Sequence, residues 1–567
     1  MTPVVEAVRE PAAQSVAPEA WTRRTSLLLL AVLVLSTIVI VRGIRHGEFS
    51  YNVDETQHAM TGFFAADLIR DHPLRHPVQY AYEYYAQYPA LSGVIHWPPL
   101  FYVFEGVSFL MLGPSVVAAR LAVLFFALLA IAFWFVQVQQ LQNEWMAAAA
   151  CLLLACSPSV LLFEKSVMLE IPCLAFSLAA TWFWFRYLFK ENPADVYICA
   201  LLASAAALTK QNAIYLIPFC IFSGLAVRGW RLFLRAAVGR AIAIGVILTA
   251  PFYCLVYVVH WKSIAMDLGE KGASNAQSLA FYGKGLPDQV GWIIFLLAIL
   301  GCITCTRWAR PKVPAIMLSW IAACYITFTL IGHKETRYAI YWIPPFIYFA
   351  LGPLFCYFRK PALRLAGGAA ALVLTGSALV YGWSYQRPNV SGYQRVAERV
   401  TQISKAGVIL YDAPLPGNFI FFLRANDEQR HFVVLRKALY AVRIKQSGGV
   451  VELVHSPEEI EQLIRAYGVR FLVVSDGIPL KFESQKMLRD VLKEPNFREV
   501  GTFPIQGEDL SHRLNLRLYE NTAWAPPTEK FLRIKMLTLD HDIVVPMDRF
   551  TVTDPPGDAS PPGRKSR

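Results

Sequence analysis

The distribution of apolar and polar positions divides the chain into two unequal parts. Between residues 26 and 385, apolar residues form long uncharged blocks joined by short polar connections. Such blocks predict membrane-spanning helices, because a helix needs about 20 apolar residues to cross a bilayer. From residue 390 onward the sequence has the mixed pattern of a water-soluble domain. The pattern predicts an α-helical polytopic membrane protein with a soluble C-terminal domain.

The apolar blocks predict about eleven spans. The runs are 26–41, 118–137, 145–161, 171–188, 196–208, 213–227, 236–259, 290–306, 313–331, 338–357 and 363–383.

One further apolar run, 98–112, decides the orientation of these spans. If 98–112 crossed the bilayer, the basic loops after residues 188, 227, 306 and 357 would lie outside, against the positive-inside rule. We therefore interpret 98–112 as a helix lying on the outer surface. This places the N-terminus in the cytoplasm and the C-terminal domain on the opposite side of the inner membrane.

The chain ends differ from the membrane region in composition. Residues 1–25 are rich in Val, Ala, Pro and Glu and are expected to be disordered. The apolar run after them is followed by Arg42 rather than by a small-residue cleavage site, which favours a retained first span. Residues 26–385 are therefore expected to form the membrane domain. A Pro-rich, basic tail is expected over 523–567.

Residues 390–522 predict an α/β domain, because strand-like and helix-like segments alternate there. No glycine-rich phosphate-binding motif occurs in it. The expected helices are 457–467 and 485–493, and the expected strands are 408–411, 419–423, 432–435, 470–475 and 514–519.

Composition excludes an ordinary soluble enzyme. Hydrophobic residues make up 55% of the chain and charged residues 17%, against about 25% charged in soluble domains. The net charge of +12 arises largely in loops between apolar blocks, which indicates membrane topology rather than nucleic-acid binding. The 10 cysteines fall between Cys151 and Cys356 and are interpreted as buried hydrophobic residues. Neither a metal nor another cofactor is predicted.

Ionisable residues converge on the outer face in this topology. Such groups at a membrane are candidates for function. The external connections contain the Asp54-Glu55 pair, Glu170, Lys210, Lys334 and Arg337. The Tyr-rich segment 78–97 suits either an interfacial aromatic belt or sugar stacking, with the belt favoured.

The order of motifs resembles the GT-C superfamily of membrane glycosyltransferases over about residues 20–385. It is most similar to the bacterial branch related to protein O-mannosyltransferases and lipid A aminoarabinose transferases. The motifs that carry the resemblance are Asp54-Glu55, His96-Trp97-Pro98-Pro99-Leu100, Glu170-Ile171-Pro172, Thr209-Lys210-Gln211 and Arg337-Tyr338.

The resemblance implies a GT-C-like bundle and a role for each matching residue. Asp54 would be the general base beside Glu55, with Glu170 as the second acidic residue of the site. The donor would be a polyprenyl phosphate carrying one sugar, and cations would stabilise its leaving phosphate. The acceptor would be a protein, lipid or glycan. The residues matched to the donor phosphate are Lys210, Lys334, Arg337, His96 and Tyr338.

Two other functional classes fit a polytopic chain with charged residues near the membrane. One is a transporter or flippase of envelope polysaccharide precursors, which would usually show internal repeats and mid-span charges. The other is a scaffold that presents the soluble domain. The clustering of charges on one face favours the transferase, which could also move a whole oligosaccharide.

Overall fold

The computed structural model describes ten segments of the chain: residues 21–50, 52–73, 75–91, 97–269, 276–331, 334–356, 361–442, 449–507, 514–537 and 541–550. Three expectations fall wholly or mainly outside these residues: disorder over 1–25, the role of His96 and the end of the basic tail.

The N-terminal two thirds of the chain is helical. Short 3₁₀ helices at Gln211–Tyr215, Trp230–Leu234 and Thr336–Trp342 interrupt the α-helices. The α-helices are α1 (Arg23–Val41), α2 (Val53–Asp71), α3 (Pro77–Gln87), α4 (Leu100–Leu112), α5 (Val116–Leu141), α6 (Glu144–Ala155), α7 (Pro158–Glu164), α8 (Glu170–Lys190), α9 (Pro193–Ala207), α10 (Leu216–Arg228), α11 (Ala236–Gly269), α12 (Ala276–Val290), α13 (Trp292–Ile303), α14 (Cys305–Trp308), α15 (Val313–Leu330), α16 (Ile343–Cys356) and α17 (Pro361–Ser384).

The helices establish a multi-pass membrane architecture, and every predicted apolar run contains one of them. Within the ten described segments, five helices are long and apolar enough to cross a bilayer, or seven if two bent helix pairs each count as one span. The bent pairs are α6 with α7, at 69°, and the end of α12 with α13, at 113°. The exact number of spans therefore stays a prediction. Residues 100–112 form a separate short apolar helix, α4.

The C-terminal part forms the predicted α/β domain around a five-stranded sheet. Its strand order is β3-β2-β6-β9-β7, with β2 parallel to β3 and β6 and with β9 antiparallel to both its neighbours. A hairpin of β10 and β11 lies within the segment expected to be a Pro-rich tail. The elements are β1 (Val390–Ser391), α18 (Tyr393–Ile403), β2 (Gly407–Asp412), α19 (Pro416–Asn426), β3 (Phe432–Leu435), β4 (Tyr440–Val442), β5 (Val450–Glu452), α20 (Pro457–Ala466), β6 (Val469–Asp476), α21 (Glu483–Val491), β7 (Phe497–Pro504), β8 (Gln506–Gly507), β9 (Asn515–Asn521), β10 (Phe531–Ile534) and β11 (Ile543–Pro546), with a 3₁₀ turn at Met547–Arg549.

One predicted strand is wrong. Residues 419–423 lie in helix α19, which Pro416 begins. The Phe421 ring lies 4.9 Å from the ring of Phe49 and 6.0 Å from that of Phe63, both in the membrane domain. The segment is apolar throughout because it is buried between two domains. A short run without polar positions has no period that distinguishes a helix from a strand.

The tyrosine-rich segment contacts the soluble domain. Asp67 on α2 accepts hydrogen bonds from the Tyr84 hydroxyl, at 2.8 Å, and from Arg424 on α19, at 2.6 Å. The Tyr88 hydroxyl donates to Asp427 at 2.7 Å. Tyr84 and Tyr88 are buried. These rings therefore belong to the contact between the two domains and not to an aromatic belt in the lipid interface.

Candidate active site

Asp54 stands at the start of α2 with its carboxylate free of any helix-capping role. Asn52 caps the helix, because its side chain accepts the Asp54 amide at 3.0 Å. The Asp54 Oδ2 atom instead accepts a hydrogen bond from Arg337 Nη1 at 2.9 Å. The Asp54 side chain is 22% exposed, so this carboxylate is accessible from outside the protein.

Glu170 and Lys210 form a buried ion pair beside Arg337. Glu170 is the first residue of α8, and Lys210 directly precedes the 3₁₀ helix Gln211–Tyr215. Lys210 Nζ lies 2.5 Å from Glu170 Oε1, and Arg337 Nε lies 3.8 Å from the same oxygen. The order Asp54, Arg337, Glu170, Lys210 thus forms a row of alternating charges, which we call the charged row.

Arg337 contacts a third carboxylate that sequence analysis did not select. The Glu335 Oε2 atom lies 2.5 Å from Arg337 Nε, and Glu335 Oε1 accepts from Arg337 Nη2 at 3.1 Å. The Tyr338 hydroxyl donates to Glu335 Oε1 at 3.2 Å. Tyr338 therefore orients Glu335, while Glu335, Asp54 and Glu170 together fix the position of the guanidinium.

His58 is a second residue that sequence analysis missed. Its Nδ1 lies 2.7 Å from the Tyr102 hydroxyl, and its ring centre lies 5.6 Å from that of Trp97. The Trp97 ring centre is in turn 5.7 Å from Lys210 Nζ. Burial and the nearby Lys210 ammonium lower the pKa of His58 to about 3, so its imidazole is neutral at physiological pH. The sequence did contain an indication of this position. His58 follows Asp54 by four residues, so the two side chains share one face of the helix.

Glu55 forms a different set of contacts from its neighbour Asp54. Its carboxylate accepts from Arg387 Nη1 at 2.7 Å, from the Ser50 amide at 2.6 Å and from the Val167 amide at 3.0 Å. The side chain is completely buried. Glu55 thereby holds the start of α2 against the segment before α8 and against the linker to the soluble domain.

Lys334 lies apart from the charged row. Its ammonium donates to the carbonyls of Thr329, at 2.7 Å, and Ile331, at 2.6 Å, at the C-terminal end of α15. Of the residues predicted to contact phosphate, the structure brings Lys210, Arg337 and Tyr338 close to the acidic residues. It does not bring Lys334 there.

A large apolar cavity adjoins the charged row. It has a volume of about 810 Å³, and helices α9, α10 and α11 line it with residues such as Ala203, Ile217 and Ile242. Gln211, the residue after Lys210, is part of the same lining. The lining residues Ile221 and Val246 are themselves exposed, so the cavity opens onto the apolar surface of these helices.

Comparison with known protein families gives one match to part of this chain. Residues 96–254 match a family described as dolichyl-phosphate-mannose-protein mannosyltransferase. No curated protein sequence matches the chain significantly.

Solved structures share the fold at low identity. ArnT from Cupriavidus metallidurans bound to undecaprenyl phosphate aligns with a TM-score of 0.58 and 13% identity, over 88% of this chain and 98% of ArnT. Its apo state gives the same TM-score and identity, over 89% and 99%. The arabinofuranosyltransferase AftD from Mycobacteria aligns with a TM-score of 0.52 and 14% identity, over 91% of this chain and 43% of AftD. Over residues 96–254 the chain is therefore similar to the mannosyltransferase family, and in fold it is similar to the membrane glycosyltransferases ArnT and AftD.

Proposed function

We propose that this enzyme transfers a single sugar from a polyprenyl-phosphate donor to an acceptor on the outer side of the inner membrane. The observation that carries the proposal is that the lining of the apolar cavity includes Gln211, the residue directly after Lys210 of the charged row. A donor with a phosphate head and a long hydrocarbon tail requires both environments side by side. The deep, apolar lining next to Lys210 supports a prenyl chain as its occupant, and the related ArnT structure contains undecaprenyl phosphate.

Asp54 is the proposed general base. Its exposed carboxylate would take the proton of an acceptor hydroxyl as the acceptor oxygen forms a bond to the anomeric carbon. The bond from that carbon to the phosphate oxygen breaks, and its electron pair leaves with the polyprenyl phosphate. Arg337 and Lys210 would stabilise the negative charge that develops there. One displacement of this kind inverts the anomeric centre.

The contact between Asp54 and Arg337 supports a coupling of donor binding to base activation. A donor phosphate would compete with Asp54 for the Nη1 edge of Arg337, while Glu335 holds the Nε edge. Displacement from Arg337 leaves the Asp54 carboxylate free to accept a proton. Glu170 would keep both Arg337 and Lys210 in place during this exchange.

The remaining predicted residues have supporting roles in the proposal. Glu55 positions Asp54 through its buried contacts, and Tyr338 orients Glu335. Lys334 would contact phosphate only after its ammonium leaves the carbonyls at the end of α15. His96 is proposed as a further donor contact because Trp97, the next residue, lies beside His58 and Lys210.

The orientation is also part of the proposal. About eleven spans, a cytoplasmic N-terminus and an external soluble domain place the charged row outside. This agrees with the basic loops after residues 188, 227, 306 and 357 being cytoplasmic.

Mass spectrometry of envelope glycans, lipids and proteins tests the function. Cells that produce the wild-type chain should contain one acceptor with the added mass of a single sugar, and cells with Asp54→Asn should lack it. Addition of several sugars in one step would replace the proposal with oligosaccharide transfer. Identical profiles in the two cell types would contradict sugar transfer altogether.

A further inference from the structure

A second cavity lies between the C-terminal ends of α1 and α17, and Arg387, the partner of Glu55, is one of its lining residues. Its volume is about 170 Å³. Residues Ile40, Arg42, Arg120, Glu164 and Lys165 line it. Apart from Arg387, which pairs with Glu55, the transfer reaction proposed above uses none of the lining side chains.

The lining carries an excess of positive charge. Lys165 Nζ contacts the carbonyls of Arg42, at 3.4 Å, and Tyr385, at 3.3 Å. Arg120 donates to the carbonyls of Ile44 and His46. Within the described segments, no carboxylate lies within 4.0 Å of the charged ends of Arg42, Arg120 or Lys165. The cavity therefore favours a bound anion.

Two residues of the lining, Arg120 and Glu164, each have a buried polar atom without a partner in the described part of the chain. Arg120 Nε and Glu164 Oε2 have no hydrogen-bond partner among the described residues. Each of these two residues is only 3% exposed. Leaving such groups unpaired costs free energy, so a ligand that satisfies both is stabilised. That ligand needs an acceptor for Arg120 and a donor for Glu164, which means an anion that also carries an amine.

The cavity stands at the boundary between bilayer and water. The Arg42 guanidinium lies 4.1 Å from the centre of the Trp383 ring at the end of α17. Arginine and tryptophan at helix ends mark this boundary in membrane proteins. About one helical turn before Arg42 and Trp383, the apolar side chains of Ile38 on α1 and Val380 on α17 are exposed. A lipid in the surrounding bilayer can therefore reach the cavity with its headgroup.

We propose that this cavity binds the phosphoethanolamine headgroup of a membrane phospholipid. Lys165, Arg42 and Arg120 bind the phosphate, and Glu164 accepts a hydrogen bond from the ammonium. The acyl chains lie along α1 and α17. Binding here is separate from donor binding, since the two cavities have no lining residue in common.

Native mass spectrometry of the purified full-length protein tests the site with phosphatidylethanolamine, phosphatidylglycerol and inorganic phosphate as probes. The wild type should retain phosphatidylethanolamine, and Lys165→Met should weaken its retention at least about tenfold by removing a charge-assisted contact. Arg42→Gln should weaken it as well, which covers the case that Lys165→Met does not fold. Lys190→Met, at an exposed lysine at the end of α8, should bind as the wild type does.

Glu164→Gln separates the role of the amine from that of the phosphate. This variant should lose the preference for phosphatidylethanolamine over phosphatidylglycerol while still binding both. Wild-type retention by both Lys165→Met and Arg42→Gln would overturn the site. Displacement of the lipid by millimolar inorganic phosphate would overturn the lipid assignment in favour of a free anion. If Glu164→Gln keeps the preference for phosphatidylethanolamine over phosphatidylglycerol, the role of the amine is overturned.

Discussion

Arg387 Nη1 lies 2.7 Å from both carboxylate oxygens of Glu55, in a buried ion pair at the junction of the two domains. Arg387 belongs to the linker between α17 and β1, and its Nη2 donates to the Glu48 carbonyl at 2.9 Å. The Glu48 carboxylate in turn accepts amide hydrogens of Gly392 and Gln394 near the start of α18. The residue next to the proposed base is thus bound to the segment that leads into the soluble domain.

A double-mutant cycle on this pair separates positioning from direct chemistry. Arg387→Met leaves Glu55 buried and unpaired, which should lower the free energy of unfolding by about 3–5 kcal/mol. The double variant Glu55→Gln/Arg387→Met should recover part of both stability and activity. Thermal unfolding and turnover of the four proteins measure this, with Arg228→Met, at a partly exposed pair with Glu191, as the control expected to lose at most about 1 kcal/mol. Recovery of stability without any activity would assign Glu55 a direct catalytic role.

Asp54→Asn should remove nearly all transfer and leave folding unchanged. The amide is nearly isosteric but cannot accept a proton, and the helix cap is supplied by Asn52. A loss of about 10²- to 10⁴-fold in kcat is expected for removal of a general base. Turnover by the purified variant, beside its thermal unfolding profile, measures this. Turnover at the wild-type level would remove Asp54 from the mechanism.

Arg337→Lys should not be a conservative change. Lysine lacks the planar fork with which Arg337 contacts Asp54 and Glu335 simultaneously. Loss of a charge-assisted contact costs about 1.5–3 kcal/mol, or roughly 10- to 100-fold in kcat/KM. The loss should appear when the lipid donor is varied and should be the same for every acceptor. The matched control is Arg240→Lys, on the exposed surface of α11. If kcat/KM depends on the lipid donor equally in the two variants, Arg337 is excluded from the phosphate site.

Filling the apolar cavity should impair use of long-chain donors specifically. Ala203→Phe places an aromatic ring in the lining between α9 and α11. The KM for a long polyprenyl donor should rise, while the KM for a donor with a short chain should change little. Leu201→Phe lies on the same helix with its side chain exposed and serves as the control. Equal effects of Ala203→Phe on both donors would argue against a prenyl chain in this cavity.

The pH dependence of turnover should contain no titration of His58. Its pKa of about 3 keeps the imidazole neutral throughout the range in which a free imidazole, with a pKa of about 6.5, would change charge. His58→Gln should therefore leave the shape of the pH profile unchanged. Disappearance of an inflection between pH 6 and 7 in this variant would show that the imidazole ionises.

The sequence predicted the apolar helices, two helices of the α/β domain and four of the five strands of its sheet, because their patterns are local. Asp54, Glu170, Lys210 and Arg337 were selected correctly as neighbours because a membrane confines polar residues of external connections to one face. Glu335 lies in the same polar connection as Arg337, but it was not selected as a site residue. Arg387 carried no signal, since its partner Glu55 is 332 residues away. The contacts of Lys334 with the end of α15 were not predicted, because sequence does not show whether a lysine turns toward a site or toward the nearest helix end.

The hydrogen-bonded pair of Asp67 and Arg424 imposes an order of events during biosynthesis of this protein. The two residues are separated by 357 positions. At a synthesis rate of about 5–20 residues per second, α2 emerges roughly 20–70 seconds before its partner exists. During that interval Asp67 and the neighbouring tyrosines lack their final contacts, so this junction is complete only after the α/β domain has folded. A ribosome stalled before residue 424 leaves an inserted but incomplete enzyme.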